Sequence, residues 1–103
     1  MPPDGKPVKL VRKRLDADEV AAHLRSLAEH AQQIEIRIKG AIDRYSDATT
    51  DALDEVGRRL VAGEIVAIQI RFFQDDAWWT DTVMRAAEGF RLVRMREDVA
   101  PAP

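Results

Sequence analysis

The fold depends on how one stretch of sequence, Ile34-Glu-Ile-Arg-Ile-Lys39, is interpreted. Read alone, the stretch alternates isoleucine with charged residues, which is typical of a half-buried strand. Read with its neighbours, Ile34 and Ile38 continue a series of apolar residues spaced alternately by four and three, which is typical of a helix seam. We favour the helix, because the longer series is preserved and only Ile36 falls outside it. The strand over residues 34–39 is kept as the alternative.

The apolar series begins before this stretch and continues past it. Its members are Val20, Leu24, Leu27, Ala31, Ile34, Ile38, Ala41 and Tyr45. They predict a first helix from Ala17 to Tyr45, about 29 residues and roughly 44 Å long. Gly40 counts against this helix, because a glycine inside a helix costs about 1 kcal/mol relative to alanine.

The start of the first helix is marked by four local signals. Asp16 can cap the helix, and Glu19 three residues later completes a capping box. Leu15 and Val20 flank the cap as a hydrophobic staple. The sequence therefore predicts a helix that starts directly after Asp16.

A second helix is predicted over residues 51–62, with Gly63 at its end. The two helices form either a hairpin or one long bent helix. From Glu64 onward the apolar period changes to two, which predicts three strands joined by short polar turns. These strands are Ile65–Phe73, Ala77–Met84 and Phe90–Met95. The predicted fold class is α+β, a helical half followed by a three-stranded antiparallel β-meander.

The domain organisation follows from these elements. Residues 1–15 are expected to be a flexible basic arm, within which residues 8–15 are alternatively a short edge strand or the lead-in to the first helix. Residues 99–103 are expected to be a tail. Between them, residues 16–98 form a single domain, helical over 16–62 and β over 64–96. The basic residues of the arm, set against Asp4 alone, are Lys6, Lys9, Arg12, Lys13 and Arg14.

Composition excludes several classes of protein. The chain is 46% hydrophobic, which is too apolar for a disordered chain, and its net charge of −2 gives the whole molecule no strong attraction to polyanions. It has no cysteine, which excludes disulfides and cysteine metal sites. No apolar run is long enough to span a membrane. We therefore expect a soluble, cytoplasmic protein with no membrane partner.

The sequence offers no catalytic motif. The five glycines are scattered and form no phosphate-binding loop, and the two serines lie in no nucleophile context. His23 and His30 are two helical turns apart, about 10 Å, which is too far to bind one ion together. We predict that the chain is not an enzyme and has no catalytic residue, cofactor or metal.

Asp81 is the one carboxylate in an unusual position, because aspartate is disfavoured in the middle of a strand. We expect it on the solvent face of the sheet, paired across strands with Arg71 or Arg94. The alternative is a pocket beside a tryptophan, where burial would raise the pKa of Asp81.

Self-association is the function that the pattern favours. A 44 Å helix is longer than a seven-residue strand, which spans about 23 Å, so part of its seam would lack a partner within the chain. One member of each doublet, Phe72-Phe73 and Trp78-Trp79, must also face away from the helices. We expect an interaction or assembly module that forms a homo-oligomer, most simply a dimer, or binds another protein. The predicted interface is Val20, Leu24, Leu27, Ile34, Ile38, Tyr45, Phe73, Trp78 and Trp79.

Nucleic-acid binding is the alternative function. Arginines and aromatic residues on an open sheet are typical of proteins that bind single strands, and the basic arm would add charge. Seven acidic residues in the same half of the chain count against it. The predicted contacts are Lys9, Arg12, Lys13, Arg14, Arg71 and Arg94.

Overall fold

The computed structural model describes residues 10–39, 44–45 and 50–97 of the chain. They form two helices and one antiparallel sheet of five full strands and a sixth, two-residue strand. In chain order the elements are β1 (Leu10–Leu15), α1 (Ala17–His30), β2 (Gln32–Ile38), β3 (Arg44–Tyr45), α2 (Thr50–Ala62), β4 (Ala67–Gln74), β5 (Ala77–Arg85) and β6 (Phe90–Arg96). The chain is thus a small, compact α+β protein.

The strands are arranged in the order β1-β6-β5-β4-β2-β3. Every described neighbouring pair is antiparallel. The three C-terminal strands form the meander that the sequence predicts, and β1 and β2 extend it on either side. The first strand therefore lies beside the last, with Leu10 opposite Met95.

The predicted long helix is wrong, and with it the fold as a helical half followed by a three-stranded meander. α1 ends at His30, and the stretch from Ile34 to Ile38 belongs to β2, the alternative kept above. The physical reason is Ile36, which is 1% exposed in the sheet and would have stood off the seam of a helix. As a strand, the stretch buries all three isoleucines on one face.

The domain boundaries change for the same reason. The region 16–62, predicted to be helical, contains strands β2 and β3, which separate α1 from α2. Residues 10–15 form strand β1, which is the edge-strand alternative to the flexible arm. The rest of the predicted arm, residues 1–9, and the predicted tail, residues 99–103, lie outside the described residues.

The predicted helix ends are confirmed where local signals specify them. The backbone N–H of Glu19 donates to Asp16 Oδ1 and that of Asp16 to Glu19 Oε1, both at 2.8 Å, which completes the capping box. α2 ends at Ala62, and Gly63 follows it at φ +85°. The N–H groups of Gly63 and Glu64 donate back into the last turn of α2, which is a Schellman motif.

Both helices pack against the same face of the sheet. The core between them consists of apolar residues that are at most 5% exposed, among them Val20, Leu24, Leu27, Leu53, Val56, Leu60, Ile34, Ile36, Ile38, Ile68, Ile70, Phe72, Val83 and Leu92. Gly57 allows the helices to approach closely, because a Cβ atom there would lie 2.7 Å from Leu24 Cδ1. One face of the sheet is therefore covered by a helical layer.

Candidate binding face and the buried Asp81 cluster

The two faces of the sheet differ in how they are covered. We call the face against α1 and α2 the helix face and the other the open face, since no described helix packs on it. Directly opposed residues in antiparallel strands share a face, so the strand register assigns each residue to one of them. Leu15 opposite Phe90, both buried, belongs to the helix face, so Arg14 opposite Arg91 belongs to the open face.

Rows of opposed residues cross the open face. Successive rows are about 7 Å apart along the strands, so the outermost two are separated by about 20 Å. The first row includes Arg14, Arg91, Met84 and Ala67; the second Arg12, Val93, Thr82, Gln69 and Arg37; the third Met95, Thr80, Arg71 and Glu35; and the last Trp78, Phe73 and Gln32.

The open face is basic although the chain as a whole has a net charge of −2. It carries five arginines, at positions 12, 14, 37, 71 and 91, against Glu35 and Glu97. In the described part of the chain, none of these arginines except Arg71 has an ion pair. The two helices on the other side carry six acidic residues against three arginines; the acidic residues are Asp18, Glu19, Glu29, Asp51, Asp54 and Glu55. The two sides of the molecule therefore differ in the sign of their charge.

The row farthest from Arg14 is aromatic. Phe73 and Trp78 meet edge to face with ring centroids 5.4 Å apart, and the Arg71 guanidinium lies 4.0 Å from the centroid of Trp78. Arg71 also donates to both carboxylate oxygens of Glu97, at 2.7 and 3.2 Å, and Thr80 donates to Glu97 at 3.1 Å. The hydrogen bond from Arg71 lowers the pKa of Glu97 more than burial raises it.

Asp81 lies on the helix face and is 0% exposed. Arg94 Nε and Nη2 donate to its two carboxylate oxygens at 2.7 and 2.8 Å, and His23 Nε2 lies 2.7 Å from Oδ2. The Arg94 guanidinium also lies 5.2 and 5.8 Å from the ring centroids of Phe72 and Trp79. This Asp81 cluster joins α1 to β5 and β6.

The expected solvent position of Asp81 is wrong, although Arg94 is one of the two partners predicted for it. Asp81 alternates in phase with buried Val83, which places it under α1. The alternative, a raised pKa, is also wrong. Burial has the largest single effect and raises the pKa of Asp81, but the hydrogen bonds and electrostatic attraction of Arg94 and His23 together lower it more, so the result is below the ordinary value of 3.8. Because the carboxylate is inaccessible to a substrate, the cluster acts as a structural connection.

The residues predicted as a partner interface do not lie together. Five of them lie in the core of this chain and are at most 5% exposed, so their side chains are not available to a second chain. These five are Val20, Leu24, Leu27, Ile34 and Ile38. α1 has only 14 residues, which removes the overhang that suggested a partner. Trp79 packs against the core, whereas Phe73 and Trp78 lie on the open face. The side chain of Tyr45 lies outside the described part of the structure.

The residues predicted to contact nucleic acid are also divided. Arg12, Arg14 and Arg71 lie on the open face. Lys13 projects from the other side of β1, and Arg94 is held by Asp81 on the helix face. Lys9 lies outside the described residues.

The predicted contacts leave out Arg37 and Arg91 on the open face, and sequence reasoning missed His23 in the Asp81 cluster. Alternation within β6 could have placed Arg91, since it is two residues from Val93 and out of phase with Leu92. His23 had no such signal, because its partner is 58 positions away in the chain.

The described residues were compared with the requirements of a metal site and of a membrane-spanning helix. They contain no group of three histidine, aspartate or glutamate side chains that could hold a metal ion. His30 instead hydrogen-bonds the Ser26 carbonyl at 3.0 Å. Neither α1 nor α2 combines the length and apolarity that crossing a membrane requires.

No family model, curated protein or solved structure matches the chain.

Proposed function

We propose that the chain is a binding module whose open face binds single-stranded nucleic acid. The observation that carries this proposal is the segregation of charge: five arginines lie on a face without a helical layer, in a molecule that is acidic overall. Arginine side chains contact phosphates with both charge and directed hydrogen bonds. Four of the five have no carboxylate partner among the described residues and are free to make such contacts.

The aromatic row supports a single strand as the ligand. Proteins that bind single strands combine a positive surface, which follows the phosphates, with aromatic rings on which bases stack. Bases also stack on arginine guanidinium planes, so Arg71 and Trp78, which lie 4.0 Å apart, offer one composite stacking surface. About 20 Å separates this surface from Arg14 and Arg91, a distance that an extended strand of a few nucleotides would cover.

The centre of the open face is polar enough to contact bases. Gln69, Thr80 and Thr82 are half-buried side chains between the arginines and the aromatic row. Their amide and hydroxyl groups both donate and accept hydrogen bonds. The arrangement supports binding of limited sequence preference, in which phosphate contacts dominate.

Replacing both Arg14 and Arg91 with glutamine is expected to weaken binding and reduce its salt dependence. Each phosphate contact to a single strand contributes about 0.7 to the slope of log K against log salt, so two lost contacts lower the slope by about 1.4. The measurement is fluorescence anisotropy of a labelled single-stranded oligonucleotide in a salt series. The matched control is Arg25→Gln with Arg58→Gln, two exposed arginines of the helical layer. Equal losses from both pairs, or no binding by the intact chain at low salt, would refute the proposal.

A second candidate is self-association through the open face, supported by its apolar side chains. Met84, Val93 and Met95 lie on this face, and Met95 is 45% exposed. Two copies packed face to face would remove these side chains from water. Light scattering at micromolar concentration is then expected to show a dimer, and Met95→Glu a monomer. A monomeric parent chain would end this candidate without affecting the first.

The remaining expectations stay predictions. They are that the chain is not an enzyme, needs no cofactor, and acts in the cytoplasm, where single-stranded RNA is an available ligand of the proposed class.

A further inference from the structure

Basic side chains surround a depression at the corner of the sheet where β1 meets the start of β6. The depression has a volume of about 220 Å³. Four of its lining residues are cationic and none is acidic; the full lining is Arg12, Lys13, Arg14, Ala86, Phe90 and Arg91. We call this depression the corner site. It is the point where side chains from both sides of the edge strand β1 converge.

Arg14 and Arg91 are directly opposed across the β1–β6 pair. Like charges in this position destabilise a sheet, because their side chains are held about 5 Å apart at Cβ. No carboxylate in the described part of the chain pairs with either arginine. An anion bound between them would convert a repulsive pair into two charge-assisted hydrogen-bond donors. The arrangement therefore favours an anionic ligand at this position.

The size and charge of the corner site indicate which anion fits. Pockets for drug-sized molecules begin at about 300 Å³, so this depression suits a smaller group. A terminal phosphate monoester carries a charge of about −1.5 to −2 at pH 7 and three strong acceptor oxygens. A phosphodiester within a strand carries only one charge. Four cationic side chains around one small depression match the monoester better.

We propose that the corner site binds the terminal phosphate monoester of a single-stranded nucleic acid. This inference rests on the proposed function and adds a defined starting point for the strand. From the corner site, the chain of nucleotides continues across Thr82 and Thr80 toward Trp78. The open face would then distinguish phosphorylated ends from hydroxyl ends and from internal positions.

The test compares oligonucleotides of one sequence that carry a 5′-phosphate, a 3′-phosphate or hydroxyl groups at both ends. One of the phosphorylated ends is expected to bind the intact chain about tenfold more tightly than the hydroxyl form, which corresponds to about 1.4 kcal/mol. In the variant Arg14→Gln with Arg91→Gln, the preference is expected to disappear. In Arg37→Gln, at the far edge of the face, binding of all forms should weaken while the preference is retained. Circular dichroism on each variant establishes that it is folded.

The outcomes separate this inference from the proposed function. If all three oligonucleotides bind equally, the terminal-phosphate inference is overturned and the proposed function stands. If none binds the intact chain, both are overturned. If the preference survives loss of Arg14 and Arg91, the end is bound elsewhere and the corner site is overturned as its location.

Discussion

Arg94→Met is expected to lower the free energy of unfolding by about 3–5 kcal/mol, the usual effect of removing one partner of a buried ion pair. Methionine retains most of the apolar bulk that Arg94 packs against Phe72 and Trp79. The loss therefore comes mainly from Asp81, whose carboxylate is 0% exposed and would keep only His23 as a partner. Urea unfolding followed by tryptophan fluorescence measures it.

The control for this prediction is Arg71→Met. Arg71 also makes a two-point contact with a carboxylate, that of Glu97, but the arginine side chain is 40% exposed and the glutamate 29%. Solvent screens such a pair, so the expected loss is about 1 kcal/mol or less. Comparable losses in the two variants would show that burial of Asp81 does not determine the effect.

The pH dependence of Arg94→Met provides a second readout. In the intact chain the folded-state pKa of Asp81 is below 3.8, so its stabilising contribution is present above that pH and is lost as the pH falls through the folded-state pKa. Without Arg94, fewer hydrogen bonds oppose the effect of burial, so the pKa of Asp81 rises. The folded variant then takes up a proton more readily. The difference in free energy of unfolding between the intact chain and Arg94→Met is therefore expected to shrink as the pH is lowered from 7 toward 4. A constant deficit over this range would contradict the assignment.

Gly89→Ala is expected to destabilise the protein by about 2–5 kcal/mol. Gly89 has φ +86°, where a side chain costs about 1–2 kcal/mol. A Cβ atom there would also lie 2.8 Å from the carbonyl oxygen of Leu15, so the backbone of β1 must move. Overpacking of this kind adds about 1–3 kcal/mol. Thermal and urea unfolding measure the loss.

Gly63→Ala is the matched control. Gly63 has nearly the same φ, +85°, but a Cβ atom there would meet nothing closer than Arg85 Nη1, at 3.8 Å. Only the backbone strain remains, and the expected loss is about 1–2 kcal/mol. The difference between the two variants measures how tightly the turn before β6 packs on β1. Identical losses would show that β1 moves aside at no cost.

Local signals predicted the parts of the fold that neighbouring residues specify. The capping box at Asp16 and the Schellman glycine at Gly63 involve residues within five positions of each other, so sequence alone contains the interaction. The meander of β4, β5 and β6 follows from alternation and from short polar turns. Each of these features is recognisable without knowledge of the rest of the chain.

The parts that failed depend on contacts between distant residues. Ile36 is buried because β2 pairs with β4, and the heptad spacing around it contains no information about that sheet. For residues 8–15 the sequence leaves an arm and a short edge strand both open, because Arg12, Lys13 and Arg14 dominate this stretch. An edge strand tolerates such charges, which also deter pairing with other chains. Pairing with β6 decides between these alternatives in favour of the strand.

The sequence predicted an open sheet face with arginines and aromatic residues, but not which residues form it. Alternation predicted that one member of each aromatic doublet faces away from the helices, and the strand register identifies these members as Phe73 and Trp78. The opposition of Arg14 and Arg91 required the register of two strands at opposite ends of the chain. The same long-range register places Arg94 beside Asp81, where its guanidinium is hydrogen-bonded to the carboxylate and is not available to a ligand.

The pairing of β1 with β6 has a consequence for how the protein is made. Among the described strands, β1 leaves the ribosome first and β6 last. β1 therefore has no partner strand until the other described strands have been synthesised. Pairings between distant segments form slowly, because a long loop must close first. Until Phe90 to Arg96 emerges, β5 is an unprotected edge that carries Trp78 and Trp79 and can pair with other nascent chains. Translation of the last strand is therefore the step that ends the exposure of this edge to aggregation.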